Sequence, residues 1–206
     1  MVLTKTDRLI TPKSSDRLVL TGRTGSGKTT FARKLLTRTA RFVVLDPKHM
    51  FAMPGVEIVK GFDAKLDRQI IRDPPGTPNE LAFWDEQIMD VWNEGDYILY
   101  IDEVTLVNPN THLRPTLGRA IRTGRERGVG VHVATQRPRD IPNAIYTEAD
   151  HFVIFDLAHP DDKKKIAGMT VPAVEEWQAK GEYDYIYYNI RTKKLTEIRV
   201  KKRKGT

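Results

Sequence analysis

The chain contains no cysteine. That absence excludes disulfides, thiolate-held zinc and cysteine nucleophiles, so any metal must be held by oxygen or imidazole. Also missing are a run of about 18 apolar residues, the least a membrane-crossing helix needs, and a charged-then-apolar export leader. The expectation is a protein that works in the cytosol and has no transmembrane segment. Internal repeats and low-complexity linkers are absent as well. At 206 residues the chain fits one domain, large enough to bury about 70% of the surface its unfolded form exposes. Negative charge is scarce in two places. Residues 191–206 hold eight basic side chains against Glu197 alone, which accounts for the whole net charge of +7. Residues 114–139 hold seven arginines against Glu126. Such concentrations suggest a polyanionic partner for one segment or both.

What is present is a rhythm of apolar runs alternating with helix-like segments, the pattern of an α/β fold with a mostly parallel sheet flanked by helices. Strands are expected at 17–21, 41–45, 56–59, 68–72, 97–101, 130–135 and 151–155. Helices are expected at 28–39, 79–93, 115–126, 160–168 and 172–180. The end "YDYIYYNIRTKKLTEIRV" reads as two strands around a turn, a C-terminal antiparallel hairpin at the sheet edge within 183–200. The domain is then 1–206, with an N-terminal segment 1–15 and a basic tail 201–206.

"GRTGSGKT" fits G-x-x-x-x-G-K-[ST] and lies between an apolar strand and a helix, the context this phosphate loop requires. Its glycines let backbone N–H groups turn inward around phosphate oxygens, and the next helix adds its positive end. Gly22, Arg23, Thr24, Gly25, Ser26, Gly27, Lys28, Thr29 and Thr30 are the nucleotide-binding candidates. Lys28 would reach the β and γ phosphates of ATP, and Thr29 would offer its hydroxyl to Mg2+. "DYILYIDE" ends a buried strand in two acids. Asp102 is placed for the Mg2+, and Glu103 is the candidate base that orients or deprotonates an attacking water.

The second acid favours an ATPase over a phosphotransferase, which excludes water from the γ-phosphate. "DPPG" (73–76) and "TKTD" (4–7) match GTPase patterns, but the second precedes the phosphate loop and so lies in the wrong chain order. A nucleoside or small-molecule kinase would want an arginine-rich lid. The one arginine-dense segment leads directly into another core strand. A kinase and a non-catalytic nucleotide switch both stay open as alternatives.

The stretch "GRAIRTGRERGVGVHVATQRPRDIP" (118–142), with the phosphate loop, "VVLDPKH" (43–49) and "YIDE", resembles the FtsK/HerA superfamily of DNA-pumping ATPases from about residue 17 to 168. The resemblance implies a RecA-like P-loop NTPase core. It implies that Gln136, at a strand end beside the acids, touches both γ-phosphate and water. It also implies that Arg125 enters the neighbouring subunit's nucleotide site in trans, with Arg122 and Arg127 as rivals. An arginine acting in trans requires a homo-oligomeric ring, here expected to be a hexamer. Arg114 and Arg119, with Lys201, Lys202 and Arg203 of the tail, are the DNA-binding candidates. Lys48, His49 and His112 are weaker ones. The phosphate loop begins at residue 22, and a bare motor of this size with a tyrosine-rich hairpin resembles the packaging ATPases of tailless, membrane-containing icosahedral viruses. The expected function is an ATP-driven double-stranded DNA translocase that packages a viral genome into a preformed capsid. It would act in the host cytoplasm and at a packaging vertex, beside a capsid or membrane-associated virion protein. A plasmid or chromosomal pump of the same superfamily is the alternative.

Overall fold

The computed structural model describes residues 12–200. Among the described residues nine strands form one sheet in the order β3-β4-β2-β5-β6-β1-β7-β8-β9. The strands are β1 (Leu18–Thr21), β2 (Phe42–Leu45), β3 (Glu57–Val59), β4 (Arg68–Ile71), β5 (Ile98–Asp102), β6 (Gly130–Thr135), β7 (His151–Phe155), β8 (Tyr185–Asn189) and β9 (Lys194–Ile198). Pairing is parallel from β3 through β7 and antiparallel from β7 through β9, so the expected hairpin closes one edge. The helices are α1 (Lys28–Leu36), α2 (Glu80–Glu94), α3 (Val104–Val107), α4 (Pro115–Thr123), α5 (Asn143–Thr147), α6 (Pro160–Met169) and α7 (Ala173–Glu176).

Alternation along each strand sorts the core onto two faces. Leu18, Leu20, Phe42, Val44 and Tyr100 pack with Ala32 and Leu36 of α1. Val19, Val43, Leu45, Leu99 and Ile101 pack with Trp84, Ile88 and Val91 of α2 and with Leu117 and Ile121 of α4. The central strands are therefore buried on both faces, which is why they read as continuous apolar runs. Both edges are largely exposed, β3 with Glu57 and Ile58 open to solvent and β9 with Lys194 and Leu195.

Three expected helices are shorter than their patterns. The one expected at 115–126 stops at Thr123 and tightens into a 3₁₀ turn, Gly124–Arg127. Gly124 lies against Val129, and a Cβ there would come within 2.9 Å of the Val129 carbonyl oxygen. Gly128, at φ 70°, then reverses the chain into β6. α1 ends at Leu36 rather than 39. The helix expected at 172–180 is only Ala173–Glu176, because Trp177 turns extended and its indole N–H donates to Glu197 of β9 at 2.7 Å. The short α3 and α5 have no counterpart in the sequence reading.

Candidate nucleotide site

β1 runs into the phosphate loop, β5 into Asp102 and Glu103, and β6 into Gln136. All three are parallel, so their carboxyl-terminal ends share one edge of the sheet. β6 lies between β5 and β1, with Asp102 beside Ala134 and Thr21 beside Thr135. Gln136 is thereby placed between the loop and the acids. This edge is where open α/β sheets gather their ligands.

The loop is fixed on both sides. Gly22 N–H donates to Thr135 at 3.3 Å and Arg23 N–H to the Asp156 carbonyl at 2.8 Å, while the Arg23 guanidinium pairs with the Asp156 carboxylate at 2.7 Å. Gly22 has φ 153°, and a Cβ there would stand 2.6 Å from Phe155 Cβ, so only glycine fits. Gly27 has φ 109°, and the Tyr183 ring lies 3.0 Å from where its Cβ would be. The Lys28 ammonium donates to the carbonyls of Gly22 at 2.6 Å and Arg23 at 3.1 Å. Burial lowers its pKa to about 8; Lys48 adds to the lowering, while Glu103 and Asp102 oppose it.

Asp102 is 8% exposed and accepts from the Tyr100 hydroxyl at 2.8 Å. Burial raises its pKa against that bond, with Asp46 and Glu103 adding to the rise. Glu103 is 7% exposed and has φ 84°, unusual for a residue with a side chain. Its Oε1 accepts from Thr105 Oγ1 at 3.0 Å and from the Gln136 N–H at 3.3 Å. Its Oε2 takes the Lys48 ammonium at 2.9 Å. The Gln136 side-chain oxygen accepts from the Thr24 hydroxyl at 2.6 Å. One residue thus bridges the phosphate loop and the candidate base.

A cavity of about 420 Å³ lies over these groups, bounded by Thr24, Gly25 and Gly27 to Thr30 of the loop, by Asp102, Glu103 and Gln136, and also by Arg33, Lys48, Met50 and Tyr183. The residues fit a nucleotide with a divalent ion. Ser26 Oγ, in the loop behind the cavity and against Gly22, is buried with no hydrogen-bond partner. The oxygens of Thr29 and Asp102 suit a hard cation. Among the described residues no group of three or more His, Asp or Glu could hold a metal by itself.

In sequence the chain is similar to the DNA packaging ATPase P9 of Enterobacteria phage PRD1, 25% identical over 202 residues that cover 87% of this chain and 84% of that one. No protein-family model matches. In structure it is similar to the genome packaging NTPase B204 of Sulfolobus turreted icosahedral virus 2, solved with AMP. The TM-score is 0.71 at 18% identity, over 91% of this chain and 98% of that one. The DNA-packaging ATPase B204 of Sulfolobus turreted icosahedral virus gives a TM-score of 0.67 at 19% identity, over 92% and 98%. The fold is that of the viral packaging P-loop NTPases.

Within this packaging-NTPase fold the arginine segment lies away from the cavity. Arg125, in the 3₁₀ turn before β6, sits at the opposite end of the sheet and donates to both Asp150 oxygens at 2.9 and 2.8 Å. A strand as long as β6 separates it from the phosphate loop, roughly 20 Å at 3.3 Å per residue. It does not reach its own nucleotide site. Arg127 donates to the Trp92 carbonyl at 2.7 Å, which engages it with α2, whereas Arg122 is exposed on α4. Of the DNA-binding candidates, Arg114 is engaged within the fold. Only 25% of its side chain is exposed, and its guanidinium is paired with Asp85 of α2, so it holds α4 against α2. Arg119 is exposed, its guanidinium 4.1 Å from the centroid of the Trp92 ring. His49 pairs with Asp73 at 2.9 Å, and His112 is exposed. Lys201, Lys202 and Arg203 lie outside the described residues.

Sequence reasoning missed Arg33, Met50 and Tyr183 as cavity residues. Tyr183 arrives through a turn that Asp184 clamps, accepting from Gly181 N–H at 2.7 Å and Val200 N–H at 2.8 Å. No local pattern announces that approach. Arg33 was legible in principle, since it lies on α1 one turn beyond Thr29.

Proposed function

We propose that the chain is an ATP-driven translocase that packages double-stranded viral DNA into a preformed capsid, working as a homo-oligomeric ring, a hexamer in the simplest form. The observation that carries the reading is Gln136, tied to Thr24 of the phosphate loop by its side chain and to Glu103 by its backbone. That link gives the site a route by which a change at the phosphates reaches the base and β6. The relatives named above are packaging ATPases, which supports the DNA substrate, host-cytoplasmic action and a capsid-vertex partner. Among the described residues no helix is long and apolar enough to cross a membrane.

In this reading Lys28 and the loop N–H groups hold the β and γ phosphates, and Thr29 and Asp102 would hold Mg2+, which would supply neutralisation of the phosphate charge. Glu103 orients the attacking water and takes its proton. Arg125, too distant for its own site, completes a neighbour's, where such a finger is worth about 10³ to 10⁵ in rate.

The test is ATP turnover with and without double-stranded DNA, together with subunit mixing. Stimulation by DNA is expected. Lys28→Ala and Arg125→Ala chains, each inactive alone, should recover turnover when mixed, because a Lys28→Ala subunit can lend its arginine to an Arg125→Ala neighbour. Transfer of phosphate to a nucleoside without a response to DNA would overturn the motor. No recovery at any mixing ratio would overturn the trans arginine.

A further inference from the structure

Both Glu103 oxygens already have partners, and only Oε2 keeps a free lone pair, beside the Lys48 ammonium. Oε1 takes two donors, Thr105 Oγ1 and the Gln136 N–H, and Oε2 takes the Lys48 ammonium at 2.9 Å. A general base needs an accessible lone pair for the water proton. The Thr105 and Gln136 donors come from elements adjoining Glu103 itself. Lys48 comes from elsewhere, the turn after β2, on a flexible four-carbon stem.

That turn is built to present Lys48. The fully buried Asp46 carboxylate accepts from the Met50 N–H at 3.0 Å, the Phe51 N–H at 2.9 Å and Arg72 Nε at 2.8 Å. The His49 N–H closes the turn onto the Asp46 carbonyl at 3.0 Å, and His49 itself holds φ 55°. The backbone around Lys48 is therefore fixed while its side chain enters the cavity, among Lys28, Thr29 and Asp102. A fixed base with a mobile ammonium facing a phosphate site is a means of exchanging one anion for another.

We propose that Lys48 is a positioning residue that exchanges the Glu103 carboxylate for the terminal phosphate of a bound nucleoside triphosphate, freeing Glu103 to act on water only when that phosphate is present. The inference rests on the reading of Glu103 as the base. The γ-phosphate of a triphosphate carries more negative charge than a carboxylate and offers three acceptor oxygens, so it competes for the ammonium, whereas a diphosphate ends one phosphate short and leaves the Lys48–Glu103 pair intact. The pair restrains hydrolysis until the substrate is complete.

The test is equilibrium binding by the full-length chain with Mg2+, so it does not depend on turnover. The ligands are a β,γ-methylene ATP analogue and ADP; the proteins are wild type, Lys48→Met, Lys48→Arg, Glu103→Gln and Lys48→Met/Glu103→Gln. Lys48→Met should weaken the triphosphate analogue by about tenfold relative to ADP, the size of one lost charge-assisted hydrogen bond. Lys48→Arg should retain most of the preference. Glu103→Gln, which releases the lysine, should tighten the triphosphate analogue several-fold, and the double variant should lose that gain. Equal weakening of both ligands by Lys48→Met, or a gain that persists in the double variant, would overturn the exchange. The motor reading is tested separately: a Lys48-dependent triphosphate preference in a chain whose turnover ignores DNA would leave the exchange standing and remove the motor.

Discussion

The two ends of the parallel sheet are both crowded with charge and are built oppositely. At the carboxyl end Asp102, Glu103, Lys28 and Lys48 face a cavity, and their partners are few or exchangeable. At the amino end Asp150 accepts from the Arg17 N–H, from Arg125 and from Arg191 of the hairpin turn. Beside it Asp16 accepts from His151 at 2.9 Å and pairs with Arg191 at 3.4 Å. One end keeps its charges available for a ligand, and the other uses them to tie β1, β7, the hairpin and the arginine turn together. A residue's charge alone does not separate these roles; what its partners are and whether it borders the cavity do.

The largest effect should come at the open end. Glu103→Gln is expected to lower ATP turnover by about 10² to 10⁴, the usual worth of a general base, while thermal stability changes little, because the amide can still accept from Thr105 and Gln136. Steady-state kinetics beside a melting curve measure both. A comparable loss of stability would place Glu103 with the structural charges and erase the contrast.

Asp150→Asn should do the reverse in stability. It leaves Arg17, Arg125 and Arg191 around a neutral amide; because the Arg125 and Arg191 side chains are 44% and 47% exposed, solvent screens part of the loss, and the cost should be about 2 kcal/mol, readable by urea unfolding. The acid limb follows from the same contacts. Burial works against the Asp150 carboxylate, but bonds from the Arg17 N–H, Arg191 and Arg125 outweigh it and hold its pKa below the ordinary 3.8. Asp184 is likewise held low: burial opposes its charge, and Val200, Arg199 and Gly181 overcome it. A depressed carboxylate contributes stability above its unfolded pKa and loses it as pH falls through the folded value. Unfolding free energy should therefore drop steeply below about pH 4, and Asp150→Asn should flatten that drop.

What could be read from the chain, and what could not, divides along the same lines. The phosphate loop, the acids after β5 and the glutamine after β6 are local patterns on buried strands, and parallel pairing brings strand ends together without further information. The partners of Asp150 are separated from it by up to 133 residues in sequence, and no pattern in a single chain links them. Lys48 was visible as a cation after a strand, but its partner Glu103 lies 55 residues away. The helix expected at 172–180 failed for a related reason, since a contact from Trp177 to β9 outweighs helical propensity.

The smallest expected effects separate two arginines that look alike in sequence. Arg114 is the N-cap residue of α4, with Pro115 at the first helical position. Its guanidinium and the Thr116 hydroxyl share Asp85 of α2, and its N–H donates to Asn108 at 2.8 Å. Arg114→Ala should therefore cost about 1 to 2 kcal/mol of stability through lost hydrogen bonds and leave the salt dependence of DNA binding unchanged. Arg119 projects from the same helix and covers Trp92, which Arg127 also approaches at 4.8 Å. Removing it should cost no more than about 1 kcal/mol, the worth of an exposed cation–π contact. If it meets a phosphate, the log–log salt slope should become shallower by about 0.9. Denaturant melts and DNA titrations at several salt concentrations distinguish the two. An unchanged slope for Arg119→Ala would remove this face of α4 from the DNA path, and the search for the DNA contact would move to the other exposed arginine of the helix, Arg122.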